Sequence, residues 1–300
     1  MQIPCSISIL IATYNYGCYK LASDVQKLLA MSDLDYEIIV AEDGSKDQVS
    51  IIANHKVTEL PNCRHIINKE NKGQARILNY LVREAKGEWC IFIDSDAEVI
   101  SKDYISKYAD YMKENVDIVI GGLKNPDSLP QPDATLRYKY EKKAEQFRTA
   151  EYRNKHPYRH FSKFNMMARR SVLLEIPFDE RCTEYGYEDA LMGVEMGKKG
   201  KKVFHIDNPL LHLGFDDNAK FLNKTETALR TLKKIEKDML FRTHIGQAII
   251  VIKERHLTTA VRYMYRLLKP LLRANLLSTH SNLRIFGFYK LGYYLELDRR

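Results

Sequence analysis

Strand-like segments alternate with segments of helical spacing through the first 120 residues, and this alternation constrains the fold more than any other feature. The strand-like runs lie at residues 6–12, 36–41, 64–68, 88–93 and 117–121. The helix-like segments between them lie at residues 19–31, 47–57, 73–85 and 102–113. Strands separated by helix-length segments predict βαβ units and a mostly parallel sheet with helices on its faces. We therefore expect an α/β fold.

The pattern is less regular beyond residue 120. Residues 123–154 contain three prolines and then a charged stretch with helical composition. Strand-like composition returns at 161–168 and 203–206, and a helix is predicted between them at 188–199. Helix signals dominate from residue 218 onward. The chain has no internal repeat and no low-complexity tract.

Three of the predicted strands end in polar residues suited to ligand contact. They are followed by Thr13-Tyr14-Asn15, by Glu42-Asp43-Gly44-Ser45 and by Asp94-Ser95-Asp96. The carboxyl ends of parallel strands share one edge of a sheet, and open α/β sheets bind their ligands there. Two carboxylates one residue apart, as in Asp94 and Asp96, suit Mg²⁺ or Mn²⁺, which in turn can hold a diphosphate. Taken alone, the Asp pair fits a polar turn without a ligand equally well.

The composition indicates a globular protein in a reducing compartment. Hydrophobic residues make up 45% and charged residues 29% of the chain, which is ordinary for a globular domain. The five cysteines are scattered and lack C-x-x-C spacing, which argues against a disulfide framework or a thiolate zinc site. The amino-terminal apolar run lacks a cationic leader region and is too short to span a bilayer, so we expect a first strand there and a cytoplasmic location.

Positive charge is concentrated in the last 81 residues. Residues 220–300 contain 17 Lys/Arg and 6 Asp/Glu, a balance of +11, whereas residues 1–219 contain 30 and 33, a balance of −3. Within 257–277, four basic residues at spacings of three and four alternate with Tyr and Leu. This pattern suits a helix that lies on an anionic membrane surface, at the inner face of the cell membrane. It also suits a packed helical subdomain with snorkelling basic side chains. No nucleic-acid motif accompanies the charge, so we expect no nucleic-acid partner.

Five short stretches, in their order and spacing, resemble a family 2 glycosyltransferase with the GT-A fold. They are residues 9–15 (Ile-Leu-Ile-Ala-Thr-Tyr-Asn), 38–45 (Ile-Ile-Val-Ala-Glu-Asp-Gly-Ser), 71–76 (Asn-Lys-Gly-Gln-Ala-Arg), 91–96 (Ile-Phe-Ile-Asp-Ser-Asp) and 186–189 (Gly-Tyr-Glu-Asp). The similarity extends from about residue 6 to residue 214. It implies a GT-A catalytic domain over residues 1–217, followed by a basic helical extension over 218–300.

The resemblance implies a nucleotide-sugar site at the predicted sheet edge. Tyr14 would lie against a uracil ring, with Thr13 and Asn15 beside it. Asp43 would accept a hydrogen bond from the uracil, although an N-cap of the following helix is the alternative for this residue. Glu42 lies where many members of the family have a second Asp, which leaves its role less defined.

The same resemblance assigns the ribose and phosphate contacts. Lys72, Gly73 and Arg76 open a helix that faces the ligand edge, where Gly73 allows close backbone approach. A helix start with solvated basic side chains is the alternative. Asp94 would contact the ribose or a metal-bound water, and Ser95 would lie beside it in the nucleotide-sugar site.

A metal ion and a general base complete the implied site. Asp96 is the expected direct ligand of Mn²⁺ or Mg²⁺, and His212 would complete the shell with an imidazole nitrogen, a mixture that favours Mn²⁺. A purely structural role is the alternative for His212. Asp189 is the expected general base, and Glu188 would hold the acceptor or share that task. The alternative for this acidic pair is that it only opens a helix at its positive end.

The resemblance implies a hexosyltransferase that inverts the anomeric centre and transfers a single sugar. The Gln-x-x-Arg-Trp motif of processive members is absent, because the single tryptophan, Trp89, precedes the Asp pair. The expected donor is a UDP-sugar, and the expected acceptor is a saccharide or lipid-linked saccharide in bacterial surface polysaccharide synthesis. Two alternatives stay open: a sugar nucleotidyltransferase, which would be expected to carry a Gly-rich phosphate loop after the first strand, and a catalytically inactive saccharide-binding scaffold.

Overall fold

The computed structural model describes residues 6–182 and 185–299. The chain divides into two compact units. The first unit comprises Met1–Asn125, Glu145–Thr183 and Glu188–Gly214, and the second comprises Pro126–Ala144, Glu184–Tyr187 and Phe215–Arg300. The predicted domain boundary after residue 217 stays a prediction.

Ten strands occur in the part of the chain that the structure describes. They are β1 (Ser6–Thr13), β2 (Asp35–Asp43), β3 (Cys63–Asn68), β4 (Trp89–Ile93), β5 (Ala97–Glu98), β6 (Ile118–Ile120), β7 (Leu123–Lys124), β8 (Asn165–Arg169), β9 (Val203–His205) and β10 (Leu210–His212).

Thirteen α-helices occur in the same described ranges. They are α1 (Tyr19–Ala30), α2 (Gln48–His55), α3 (Gln74–Glu84), α4 (Tyr104–Met112), α5 (Thr135–Ala144), α6 (Ala150–Lys155), α7 (Arg170–Glu175), α8 (Glu188–Lys198), α9 (Asn218–Lys234), α10 (Glu236–Met239), α11 (His244–Glu254), α12 (Thr258–Leu277) and α13 (Leu283–Glu296).

Seven strands form one sheet in the first unit, in the order β3-β2-β1-β4-β8-β6-β9. Every neighbouring pair is parallel except those that involve β8, which runs antiparallel to both β4 and β6. The predicted mostly parallel α/β fold is therefore confirmed. Because β8 is reversed, Asn165 at its start pairs with Ile93 at the end of β4. The chain just before β8 thus reaches the ligand edge of the sheet.

Apolar layers cover both faces of this sheet, which explains the uninterrupted apolar runs of its strands. Ile9 of β1 packs in a cluster with Val25 of α1, whereas Leu10 packs in the cluster of α3 on the opposite face. β4 alternates in the same way, and all five of its residues are buried. Each fully buried Ile or Leu contributes roughly 1.5–3 kcal/mol of hydrophobic stabilisation.

A second, three-stranded sheet in the first unit has the order β5-β10-β7. Its strands are two or three residues long and escaped prediction. In its antiparallel pairing, His212 of β10 lies opposite Ala97 of β5. Ala97 directly follows the Asp94-Ser95-Asp96 turn, so this small sheet carries His212 to that turn.

The helices of the second unit pack around an aromatic core. Tyr265 of α12 and Tyr289 of α13 are fully buried, with ring centroids 5.6 Å apart and nearly perpendicular rings. Leu136 of α5 and Leu222 of α9 belong to the same core. None of the helices in the described residues is both long enough and apolar enough to cross a membrane.

Candidate active site

The loops that follow β1 and β2 are joined at the ligand edge of the sheet. The Asn15 amide oxygen accepts hydrogen bonds from the backbone N–H groups of Lys46, at 2.6 Å, and Asp47, at 3.0 Å. The Asn15 N–H donates to Ser45 Oγ at 2.9 Å. Asn15 has φ of 51°, a left-handed conformation that Asn adopts more readily than most residues. Asn15 therefore joins the loop that follows β1 to the loop that follows β2.

Thr13 and Tyr14 lie at the same edge but differ in exposure. Thr13 is buried, and its hydroxyl donates to the carbonyl of Tyr16 at 2.8 Å. The Tyr14 side chain is 51% exposed, which leaves its ring available for stacking.

The Asp43 carboxylate organises the start of α3. Its two oxygens accept the backbone N–H groups of Lys72, at 2.9 Å, and Gly73, at 3.1 Å. The N-cap of the helix that follows β2 is instead Asp47, which accepts from the N–H groups of two residues in the first turn of α2. A Cβ on Gly44 would lie 2.1 Å from the Asn71 nitrogen, so this turn requires glycine.

Glu42 is buried beneath the same loops. Its carboxylate accepts from the Ser45 hydroxyl, from Asn54 Nδ2 at 2.8 Å and lies 3.3 Å from His65 Nε2. Burial pushes the Glu42 pKa upward, but the hydrogen bonds from His65, Asn54 and Ser45 outweigh it and leave the pKa below its ordinary value. Glu42 is therefore an ionised structural anchor of the loop.

The predicted basic residues are placed differently from one another. The side chain of Lys72 is exposed, and its backbone N–H is bound to Asp43. Arg76 pairs with Glu180, with 3.2 Å between Nε and Oε2.

Ser95 lines a cavity of about 130 Å³ together with Tyr16.

Asp96 and His212 lie side by side. His212 Nε2 is 3.3 Å from Asp96 Oδ2, and His212 is almost completely buried. A Cβ on Gly214 would lie 1.7 Å from the same carboxylate oxygen, so the carboxylate fills space that only glycine leaves open. One carboxylate and one imidazole form a donor set that suits Mn²⁺. No group of three or more His, Cys, Asp or Glu placed to hold a metal occurs in the described ranges.

Lys163 lies at the centre of the site and was not predicted. Its ammonium group is buried and contacts Asp94 Oδ1, while its backbone N–H donates to Asp189 Oδ2 at 3.1 Å. When the Gln74 amide is oriented to satisfy both of its neighbours, its oxygen accepts from Lys163 at 2.6 Å and its nitrogen donates to Glu188 at 2.8 Å. Burial alone would lower the pKa of Lys163, but Asp94, Asp189 and Glu188 raise it above its ordinary value.

Asp189 lies in the first turn of α8, next to the buried Glu188. Its Oδ1 atom is shielded from solvent and has no hydrogen-bond partner within residues 6–182 and 185–299. Burial raises the pKa of Asp189 to about 7; the nearby Lys163 opposes this rise, and Glu188 and Asp94 reinforce it. A buried carboxylate that titrates near neutrality can accept a proton in the physiological pH range.

A cavity of about 180 Å³ adjoins this cluster. Ser162 and Phe164, the two neighbours of Lys163 in the chain, line it together with Gly122, Arg148 and Asn165.

The fold and the comparisons with known proteins define a glycosyltransferase of the GT-A type. Residues 8–176 match the model of glycosyl transferase family 2, more than half of the chain, and the chain belongs to that family. The predicted family membership, GT-A fold and transferase class are confirmed.

Several curated bacterial glycosyltransferases are similar in sequence. EpsH of Bacillus subtilis, a putative glycosyltransferase, is 27% identical over 71% of this chain and 61% of its own length. Glycosyltransferase GlyG of Streptococcus pneumoniae is 32% identical over 40% of each chain. The poly(ribitol-phosphate) β-glucosyltransferase of Bacillus spizizenii is 34% identical over 44% of this chain and 21% of its own. The chain thus spans less than two thirds of the length of these relatives.

PcManGT and TarS are among the solved structures that share the fold. The mannosyltransferase PcManGT from Pyrobaculum calidifontis, in complex with GDP-Man and Mn²⁺, has a TM-score of 0.55 and 16% identity, over 98% of this chain and 86% of that one. TarS of S. aureus has a TM-score of 0.51 and 20% identity, over 74% of this chain and 38% of that one.

Proposed function

We propose that this chain is an inverting, metal-dependent glycosyltransferase that moves one sugar from a UDP-sugar to a saccharide or lipid-linked saccharide acceptor, in bacterial surface polysaccharide synthesis. The observation that carries the proposal is the arrangement around Asp189. This buried carboxylate has a raised pKa and an oxygen without a hydrogen-bond partner among the described residues, and it is joined through Lys163 to Asp94. A carboxylate of this kind suits a general base beside a nucleotide-sugar site.

The donor nucleotide would bind at the ends of β1, β2 and β4. Tyr14 would stack on the base, and Thr13, Asn15 and Asp43 would shape the pocket around it. The exposed Lys72, the backbone of Gly73 and the guanidinium of Arg76 would meet the ribose and phosphates. Asp94 and Ser95 would lie on the ribose side of the donor.

Asp96 and His212 would hold the divalent cation, Mn²⁺ or Mg²⁺. When bound, this ion neutralises charge on the departing diphosphate. Support comes from the adjacent carboxylate and imidazole, and from PcManGT, which was solved with Mn²⁺ and GDP-Man.

The transfer would proceed by direct displacement. As the acceptor oxygen forms its bond to the anomeric carbon, its proton passes to Asp189 Oδ1, and the bond between the anomeric carbon and the diphosphate breaks with its electron pair leaving on UDP. Attack from the face opposite the diphosphate inverts the anomeric configuration. Glu188, bound to Gln74, would orient the acceptor.

Release of UDP in the presence of Mn²⁺, measured across a panel of UDP-sugars and saccharide acceptors, tests the proposal. We expect metal-dependent turnover that Asp96→Ala abolishes. NMR of the product should show an anomeric configuration opposite to that of the donor sugar. Release of pyrophosphate from a sugar phosphate and a nucleoside triphosphate would instead identify a nucleotidyltransferase. Binding of a UDP-sugar without turnover across the panel would favour the inactive scaffold.

We further propose that α12 docks the enzyme on an anionic membrane surface. Its outward face carries Tyr263, Met264, Leu267 and Leu271, each at least half exposed, while Tyr265 on the opposite face is buried in the core of the second unit. The helix contains four basic residues and no acidic one, which complements anionic lipid and disfavours pairing with a second copy.

Co-sedimentation with phosphatidylglycerol vesicles at low salt tests this docking. We expect the chain to bind these vesicles and to ignore phosphatidylcholine vesicles, and the double variant Leu267→Ser/Leu271→Ser to lose binding. Lys237→Ala, outside α12, serves as the control. The proposal would be contradicted if the chain does not bind anionic vesicles. It would also be contradicted if analytical ultracentrifugation shows that the chain dimerises through this face.

A further inference from the structure

We propose that Lys163 is a positioning residue that holds Asp94, in the Asp94-Ser95-Asp96 turn, and the candidate base Asp189 in a fixed mutual geometry. The inference rests on the proposed function for its catalytic consequence, while the geometry stands by itself. No motif of the sequence pointed to this lysine.

Two separate groups of Lys163 make the two contacts. The ammonium group binds Asp94 Oδ1, and the backbone N–H binds Asp189 Oδ2 at 3.1 Å. Asp94 also donates its backbone N–H to the carbonyl of Phe164 at 3.1 Å, which fixes the turn after β4 to the segment before β8. A displacement of Lys163 would therefore move both carboxylates relative to each other.

Gln74 extends the cluster to a third element. Its amide lies between Lys163 Nζ and Glu188 Oε1, so the start of α3 is joined to the first turn of α8. The Gly73 N–H, one residue earlier, binds Asp43. The chain of contacts thus connects Asp43, at the nucleotide end of the site, to Glu188 and Asp189 at the acceptor end.

Charge explains why a lysine occupies this position. The charged groups that face Asp189 are Lys163 before β8, Glu188 on its own helix and Asp94 after β4, and the neutral Gln74 faces the cluster from α3. Three carboxylates in a shielded space repel one another, and a buried ammonium group offsets that repulsion. The Asp94 side chain is still about one-third exposed (34%), so a donor can reach it while Lys163 holds its other side.

A carboxyl titration tests this role without requiring turnover. NMR of protein labelled with ¹³C at the Asp carboxyl carbons, with Asp189 assigned by comparison with Asp189→Asn, reports the midpoint of Asp189. In Lys163→Met the midpoint should rise by about one pH unit or more, because the cation that favours the charged form is gone. In Asp94→Asn it should fall, because a repelling carboxylate has been removed. Lys163→Arg should return the midpoint toward that of the unmodified chain.

Lys113→Met, at the exposed end of α4, is the matched control and should leave the midpoint unchanged. An Asp189 midpoint that moves in neither Lys163→Met nor Asp94→Asn would overturn the proposal. If Lys163→Met does not fold, the Asp94→Asn and Lys163→Arg titrations decide alone.

Kinetics separate this inference from the proposed function. In a chain that transfers sugar, the acid limb of kcat in Lys163→Met should move to higher pH, with activity partly recovered in alkaline buffer and restored by Lys163→Arg. A chain that transfers no sugar contradicts the proposed function, yet the carboxyl titration still decides whether Lys163 positions the two carboxylates. If Lys163→Met instead loses kcat equally at every pH, without a shift of the acid limb, the role of Lys163 is merely structural.

Discussion

His212 Nε2 lies 3.3 Å from Asp96 Oδ2, although the two residues are far apart in the chain and belong to different strands and turns. The pairing of β10 with β5 produces this approach, because it sets His212 opposite the residue that follows Asp96. Leu213 reinforces it by donating its N–H to the Asp96 carbonyl at 2.8 Å. The smaller of the two sheets in the described residues therefore brings together the residues of the candidate metal site.

Replacing either residue of this pair should weaken Mn²⁺ binding. In the presence of UDP, His212→Ala and Asp96→Asn should each raise the Kd of Mn²⁺ by at least about 10- to 100-fold, since even the loss of a supporting group has effects of that size. Electron paramagnetic resonance of free Mn²⁺ measures this directly. His156→Ala, an exposed histidine of the same unit, should leave the Kd unchanged. Equal Mn²⁺ affinity in all three variants would remove His212 and Asp96 from the metal site.

Gly214→Ala should damage the site through Asp96 alone. The added Cβ would lie 1.7 Å from Asp96 Oδ2, so the carboxylate that now lies beside His212 must shift. We expect Mn²⁺-dependent UDP binding to be lost, with a fall of about 1–3 kcal/mol in the free energy of unfolding from overpacking. Gly287→Ala is the control, because nothing lies within 4 Å of its added Cβ and it lies inside helix α13. That substitution should leave the protein equally or more stable.

The raised pKa of Asp189 predicts an acid limb in the pH profile. Turnover should decline as pH falls below about 7, because the base becomes protonated. Asp189→Asn should lower kcat by about 10²- to 10⁴-fold, the usual contribution of general acid–base catalysis. An acid limb that persists unchanged in the residual activity of Asp189→Asn would assign the titration to another group.

The same shift has a signature in stability. The folded chain retains a proton on Asp189 between its unfolded pKa and about 7, while the unfolded chain has released it. The associated stability is fully present below the unfolded pKa and is lost as pH rises through the folded pKa. Urea unfolding of the unmodified chain and of Asp189→Asn at several pH values should show this decline only in the former.

Asp43→Ala should loosen the nucleotide end of the site. It removes the acceptor of two backbone N–H groups, at Lys72 and Gly73, and should lower the free energy of unfolding by about 1–3 kcal/mol and weaken UDP binding. Asp47→Ala removes a helix N-cap instead, with a stability cost of about 1 kcal/mol. Calorimetry with UDP separates them, because Asp47→Ala should bind UDP normally. Equal UDP affinity in both variants would remove Asp43 from the donor site.

The sequence predicted the main sheet because its signals are local. Most of its strands, such as β1 and β4, carry an apolar run that is visible in the sequence. The segment 161–168 was predicted as a strand throughout, but β8 begins only at Asn165. Phe161 and Phe164 are buried from a loop, so their apolar character indicated burial and not strand structure.

Lys163 and the small sheet were missed because their partners are remote in the chain. Lys163 contacts a residue 69 positions earlier and another 26 positions later. A single lysine inside an apolar run carries no periodic signal that would indicate such contacts. Strands of two or three residues, such as β5 and β10, are likewise too short for alternation to be detected.

The reversed direction of β8 determines where the chain tolerates changes of length. Its first residue meets the end of β4 at the ligand edge, whereas its last, Arg169, pairs with Trp89 at the opposite edge. An insertion just before β8 would shift the lysine and phenylalanine that border the site, but one between α7 and the following loop would leave their register intact. Linker insertions on either side of β8 would therefore differ in whether they displace Lys163 and Phe164.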